Sequence, residues 1–247
     1  MIDLESLGGI VTKAVTPEPR QGHPRPRVAE FFGGMLNAVG LANPGLAAVA
    51  RDELPWLTRL ERARVLVNVA GATLEDYEAV VRGLDALAPA AFEINASCPN
   101  TSAGGLEFGA DPETLGALVA RCRRATERPL VIKLSPALPD IAAMAAVAKA
   151  RGADGVSVVN TMPGMLAGRL GNGFGGVSGP ALLPVGVLAT KRIVERVGLP
   201  VIGVGGIRTA EDARAYLDAG AVLVAIGTAA LADPRVPERI ARELAHG

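Results

Sequence analysis

The chain has 247 residues, 49% hydrophobic and 20% charged, and its 25 basic and 25 acidic side chains cancel to a formal net charge of zero. That balance argues against a nucleic-acid or membrane surface as the main partner, because phosphate-rich surfaces are held by clustered Lys and Arg. The length suits two small domains or a single β/α barrel of about 250 residues.

The opening Met1-Ile2-Asp3-Leu4-Glu5 has neither the basic nor the long apolar part of a signal peptide. No apolar run approaches a membrane span of ~18 residues. A soluble, cytoplasmic protein is expected. Cys98 and Cys122, with the isolated His23 and His246, offer no metal-ligand spacing, so no metal is expected. Cys122 lies among Arg121, Arg123 and Arg124 in a helical stretch, which favours reduced thiols over a disulfide. The basic cluster at 20–27 is threaded with prolines and reads as a solvated loop.

Along the chain, short β-branched apolar runs alternate with helical stretches, the pattern of a parallel sheet made of βαβ units. The first strand is expected at 9–15. It leads into a long Pro- and Gly-rich stretch, 16–55, that is only weakly helical. A strand at 65–70 precedes a helix at 74–87, and a strand at 91–96 precedes a helix at 112–126. Asp111-Pro112 supplies that helix with an N-cap and a first-turn proline. Next come a strand at 130–135 and a helix at 139–150, then a strand at 155–160. The glycine-rich stretch 162–180 reads as a lid, a binding loop or a plain flexible connection. Long irregular stretches inside compact domains are usually functional. A helix at 183–197, a strand at 200–204, a helix at 210–219, a strand at 221–226 and a last helix at 236–245 complete the series. Thr209 and Asp212 form a capping-box pattern, and Gly152 and Gly220 end their helices. Linkers are short and composition is even, so 1–247 is expected to be one α/β domain. Seven strands are counted, whereas a closed barrel needs eight.

The chemistry gathers at the ends of these strands. Glu93-Ile94-Asn95-Ala96-Ser97-Cys98-Pro99-Asn100 carries polar groups where a buried strand emerges, the face on which β/α barrels build active sites. Taken alone, a cysteine beside a strand such as Cys98 is more often a small buried hydrophobe. Lys13, Asn68, Lys133 with Ser135, and Asn160 with Thr161 occupy corresponding ends. A lysine within Leu130-Val131-Ile132-Lys133-Leu134 needs an open strand end and an anionic or hydrogen-bonding partner, since an unpaired buried charge costs several kcal/mol. Each lysine alone could be a structural ion pair; together the polar ends point to a site. Gly205-Gly206 and Gly227-Thr228, each opening a helix after a late strand, suggest a phosphorylated cofactor or substrate.

Four motifs, Asn95-Ala96-Ser97-Cys98-Pro99-Asn100, Val131-Ile132-Lys133-Leu134-Ser135-Pro136, Gly175-Gly176-Val177-Ser178-Gly179-Pro180-Ala181 and Val204-Gly205-Gly206-Ile207, resemble dihydroorotate dehydrogenase. The stretch from Pro26-Arg27-Val28-Ala29-Glu30 to Asn43-Pro44-Gly45 resembles its class 1B catalytic subunit. The resemblance implies a (β/α)8 TIM barrel that oxidises dihydroorotate to orotate with FMN in pyrimidine (UMP) biosynthesis. It implies Cys98 as the base for the C5 proton. Lys13, Asn37, Ala38, Val39, Gly40, Leu41, Asn95, Asn160 and Thr161 would hold the substrate. Lys13, Ala14, Asn68, Asn95, Lys133, Val159 and Gly179 would contact the flavin ring or ribityl chain, and Gly205, Gly206, Gly227 and Thr228 its phosphate. Electrons would pass to NAD through a partner subunit carrying FAD and an iron–sulfur cluster, around a homodimer core of a heterotetramer.

The family carries about one more strand ahead of the point where this chain starts, so the first barrel strand is expected to be missing and the sheet edges open. Two other readings stay available. One is another FMN barrel acting on dihydropyrimidines; the other is a truncated, non-catalytic barrel fragment.

Overall fold

The computed structural model describes residues 3–97, 99–100 and 106–246. Seven strands form one parallel sheet in chain order: β1 (Gly9–Val11), β2 (Arg64–Val69), β3 (Ala91–Asn95), β4 (Leu130–Leu134), β5 (Gly155–Val158), β6 (Val201–Val204) and β7 (Leu223–Ala225). The connecting helices are α1 (Leu74–Asp85), α2 (Pro112–Ala125), α3 (Ile141–Ala150), α4 (Leu183–Val197), α5 (Ala210–Asp218), α6 (Thr228–Ala232) and α7 (Val236–Ala245). Among the described residues β1 and β7 do not pair with each other, so the β/α barrel layout is open between them.

Local sequence explains why the helices start where they do. Thr73 and Asp76 make a reciprocal capping box ahead of α1, and Thr209 and Asp212 do the same for α5. Each satisfies two backbone N–H groups that a helix start would leave unpaired. The Asp111 carboxylate accepts from Thr114 N at 2.7 Å, with Pro112 in the first turn of α2. Helix α1 buries Tyr77, Val80, Val81 and Leu84, spaced three and four apart on one face. Fully burying such a side chain contributes about 1.5–3 kcal/mol. Truncating Leu84 to alanine would cost about 2–5 kcal/mol, because the cavity closes only partly. Val65, Val67, Val69, Phe92, Ile94, Leu130, Ile132, Val156 and Val158 meet these helices from the sheet and form the main core.

Two expectations need correction. The strand expected at 9–15 stops at Val11, and the ladder is broken at Lys13 and Ala14. It resumes at Val15, which donates to Asn68 O at 2.9 Å and accepts from Ala70 N at 2.9 Å. The two irregular stretches are also not plain loops. Val28–Phe31 and Gly34–Asn37 form a hairpin, and Gly175–Ser178 and Met162–Gly164 add to it, making a four-stranded antiparallel sheet. Ala29, Leu36, Ala38 and Leu170 give this sheet its own small core. The stretch 16–55 ends in the helical turns Leu46–Ala48, Val49–Glu53 and Leu54–Leu57.

Candidate active site

Side chains alternate across a strand, so the residues between the core positions share the face turned away from the helices. On that inner face lie Asn68, Glu93, Asn95, Lys133 and Ser157, in register on four adjacent strands. Parallel strands covered on both faces would be apolar throughout. This face is polar where β2 to β5 approach their C-terminal ends.

Glu93 is 2% exposed, and its Oε1 accepts from Asn68 Nδ2 at 2.5 Å. The same oxygen lies 3.7 Å from Lys133 Nζ, so the lysine has the anionic partner its position in the strand demands. Next to this group Asn95 Oδ1 accepts from Asn160 Nδ2 at 3.2 Å and from Ser97 N at 3.3 Å. Asn160 Oδ1 in turn accepts from Thr161 N at 2.9 Å. The two asparagines thereby lock each other's amides between the ends of β3 and β5.

The small sheet closes on the same place. Asn37 donates from Nδ2 to Gly176 O at 3.2 Å, across a separation of 139 residues. Thr161 packs so tightly on Gly176 that a Cβ there would sit 2.1 Å from Thr161 Oγ1. Gly179 also approaches Gly34, where a Cβ on Gly179 would lie 3.0 Å from Gly34 Cα. Asn37 and Thr161, far apart in sequence, are therefore bridged by one backbone residue. Ala38 is buried, Val39 and Gly40 are half-buried, and Leu41 packs on the main core. Asn43 ties this segment to the first strand's extension, bonding Thr16 N, Thr16 Oγ1, Gly45 N and Leu41 O.

Val159, buried at the end of β5, donates to Val204 O at 2.7 Å, which sets it beside Gly205. Gly206 takes φ +79, and a Cβ there would lie 2.6 Å from Leu183 N. Only glycine lets the chain turn this closely past the start of α4. Gly227 and Thr228 follow the edge strand β7; Gly227 is exposed, with open space where a Cβ would be. β7 reaches β5 only through β6, so these two residues follow a strand two places from the polar cluster. Lys13 is exposed and Ala14 buried, at the break in the ladder one strand from Asn68, whose backbone N donates to Thr12 Oγ1 at 3.1 Å. Cys98 lies outside the described residues.

Three positions were missed from sequence. Glu93 could have been found, because it stands two residues before Asn95 in an apolar strand and so must share its face. The chain's only two tyrosines were not singled out. Tyr77 donates to Asn95 O at 2.8 Å, and Tyr216 to Gly205 O at 2.8 Å and Val204 O at 3.1 Å. Both are fully buried and pin the backbone where a strand opens into the site. Gly203 and Gly186 make room for Tyr216, since a Cβ on either would clash with its ring or hydroxyl.

The family model for dihydroorotate dehydrogenase matches residues 1–247, the whole chain. The chain belongs to the dihydroorotate dehydrogenase family. A relative from Desulforudis audaxviator, named dihydroorotate dehydrogenase B (NAD(+)), catalytic subunit, is 44% identical over 98% of this chain and 81% of its own length. One of the same name from Geobacillus kaustophilus is 44% identical, covering 98% and 79%. A relative from Solibacter usitatus, provisionally named dihydroorotate dehydrogenase A (fumarate), is 46% identical, covering 99% and 82%. Among solved structures, a dihydroorotate dehydrogenase from Eimeria tenella in complex with ferulenol superposes with a TM-score of 0.78 at 26% identity, over 94% of this chain and 72% of that one. The family's α/β barrel fold is therefore the fold of this chain.

The inner face suits a flavin of this family. The Ser97 and Ser157 hydroxyls are buried with no hydrogen-bond partner among the described residues, so the face has polar capacity to spare. Lys133 brings a cation, and Asn68, Asn95 and Asn160 bring carboxamides that both donate and accept.

Proposed function

We propose that this dihydroorotate dehydrogenase oxidises dihydroorotate to orotate with FMN, for pyrimidine synthesis, and that NAD is the final acceptor through a partner subunit. The observation that carries the reading is the Asn95–Asn160 pair beside the Glu93–Lys133 pair, in a chain matched along its whole length by the family. Asn95 and Asn160 present carboxamides suited to the ring amides of the substrate, with Asn37 to Leu41 and Thr161 closing over them. Lys13 supplies the cation for the substrate carboxylate. Cys98 removes the C5 proton; a free thiol titrates near about 8.5, so only part is thiolate at neutral pH. Bound FMN supplies the chemistry of hydride acceptance from C6. Lys133, Asn68, Ala14, Val159 and Gly179 would lie along its ring and ribityl chain, and the backbone at Gly205, Gly206, Gly227 and Thr228 would hold its phosphate.

The chain's two cysteines are too few for the four thiolates that ordinarily hold an iron–sulfur cluster, so in this reading the cluster, with the FAD that accompanies it, lies on the partner. A homodimer of this chain would form the core of the assembly. The test is anaerobic. The purified chain with FMN should bleach on adding dihydroorotate and not on adding dihydrouracil, which lacks the carboxylate. Reoxidation by fumarate alone would replace the NAD-linked reading with the fumarate-linked one in the Solibacter relative's name. Bleaching by dihydrouracil would favour a dihydropyrimidine enzyme.

A further inference from the structure

Glu93 has no role in the chemistry above, yet it is the most deeply buried charged side chain of the polar cluster. Its side chain is 3% exposed against 22% for Lys133. Burying a carboxylate is expensive, and an apolar side chain of similar volume would often serve stability as well or better. An acid at this position therefore asks for another explanation. Its contacts supply one. Asn68 lies directly opposite on β2, while Lys133 lies two residues beyond the direct partner Val131 on β4. One carboxylate oxygen thus reaches a neighbour on each side.

We infer that Glu93 is a positioning residue that fixes the Lys133 ammonium and the orientation of the Asn68 carboxamide toward the flavin. An ionised carboxylate only accepts hydrogen bonds, so the Asn68 amide nitrogen must face Glu93 and its Oδ1 must face away from it. The site thereby receives a carbonyl acceptor, matched to an N–H of the ligand. Lysine is a point charge on a flexible four-carbon stem. Without an anchor its ammonium would sample several rotamers, at an entropic cost on binding. Glu93 also balances the lysine charge, which tempers the positive field at the ring. This inference rests on the FMN reading above.

The test is a double-variant cycle on the full chain, read by FMN fluorescence quenching. Glu93→Gln should weaken FMN at least tenfold when Lys133 is present, and clearly less in a Lys133→Met background, where only the orientation of Asn68 is left to lose. Glu93→Gln should also raise the flavin midpoint potential, with about 30 mV corresponding to tenfold for a two-electron couple. Glu93→Asp keeps the charge but withdraws the oxygen by one methylene. It should lose FMN affinity similarly, and it provides the readout if Glu93→Gln does not fold. Equal weakening in both backgrounds with an unchanged potential would reduce Glu93 to a structural role and overturn the inference. Failure of the wild-type chain to bind FMN at all would overturn the functional reading with it.

Discussion

Tyr77 and Tyr216 show how single side chains from outside the site hold its frame. Each rises from a helix behind the sheet to a carbonyl at a strand's exit. Tyr216→Phe would take the tyrosine's donor from the half-buried Gly205 carbonyl, while Val204 O keeps its bond from Val159 N. The expected loss is about 1–2 kcal/mol, read as a lower urea midpoint with an unchanged slope. An unchanged midpoint would mean that the backbone finds another donor. Cys122 is the opposite kind of residue: it is fully buried in α2, and burial pushes its thiol up to about 12. Its folded value lies above the unfolded one, so its stabilising contribution is complete below about pH 8.5 and is lost as pH rises toward the folded value. At pH 8 a thiol reagent should modify Cys122 only in denaturant, as peptide mass spectrometry would reveal; rapid native labelling there would contradict the burial. The residue-level chemistry was half legible. Lys133 announced its need for an anion because a charge in an apolar strand is costly. Glu93 met that need through the same alternation, but its identity as the partner depends on register between β3 and β4, which no single segment encodes.

At the level of elements, local signals and long-range pairing separate cleanly. The six longer helices were legible to within two residues of their ends, because caps and three-four apolar spacing are local. The antiparallel sheet was not. Its strands are three or four residues long, rich in glycine, and Asn37 meets Gly176 across most of the chain. Neither periodicity nor propensity can report such a contact. The helices are also stitched to one another by charge. Arg121 of α2 bonds Glu78 and Glu75 of α1, and Arg196 of α4 holds Asp140 at the start of α3 through two 2.9 Å bonds. These arginines hold Glu78 and Asp140 below the usual carboxylate range. Glu5 is lowered by another cause, three backbone N–H groups of Ala63, Glu61 and Arg62. With folded values depressed, these contributions are present above about pH 4, the unfolded range, and are lost as pH falls through the folded values. Urea midpoints should therefore hold from pH 7 to 5 and fall below about pH 4. Because surface ion pairs are screened by salt, 0.5 M NaCl should flatten the part due to Asp140 and Glu78. The part removed by Glu5→Gln should persist in salt. A midpoint insensitive to pH between 5 and 2.5 would refute this account.

The molecule as a whole is organised around a sheet whose two edge strands, β1 and β7, are each paired on one side only among the described residues. Its polar inner face occupies the middle strands, β2 to β5. Toward the rims the character changes. Val11 on β1 is 38% exposed and Leu223 on β7 is 54% exposed, and Val222 and Leu231 beside β7 reach 59% and 73%. An unpaired edge offers a row of backbone donors and acceptors, and exposed apolar side chains along it add a hydrophobic incentive to pair. Folded proteins usually blunt such edges with lysine, proline or a covering segment. Here the edge residues Gly9, Ile10, Val11, Leu223, Val224 and Ala225 include none of these charges. The chain on its own should therefore associate as its concentration rises, with light scattering giving a mass that grows with dilution reversed. Leu223→Lys puts a charge on the exposed rim, where a surface change ordinarily alters stability by less than about 0.5 kcal/mol. It should lower the association while leaving the thermal midpoint of the dilute protein in place. If association persists undiminished in Leu223→Lys and also in Val11→Lys, the contact lies elsewhere on the molecule. The free rims would then be protected by their twist and shortness rather than by a partner strand.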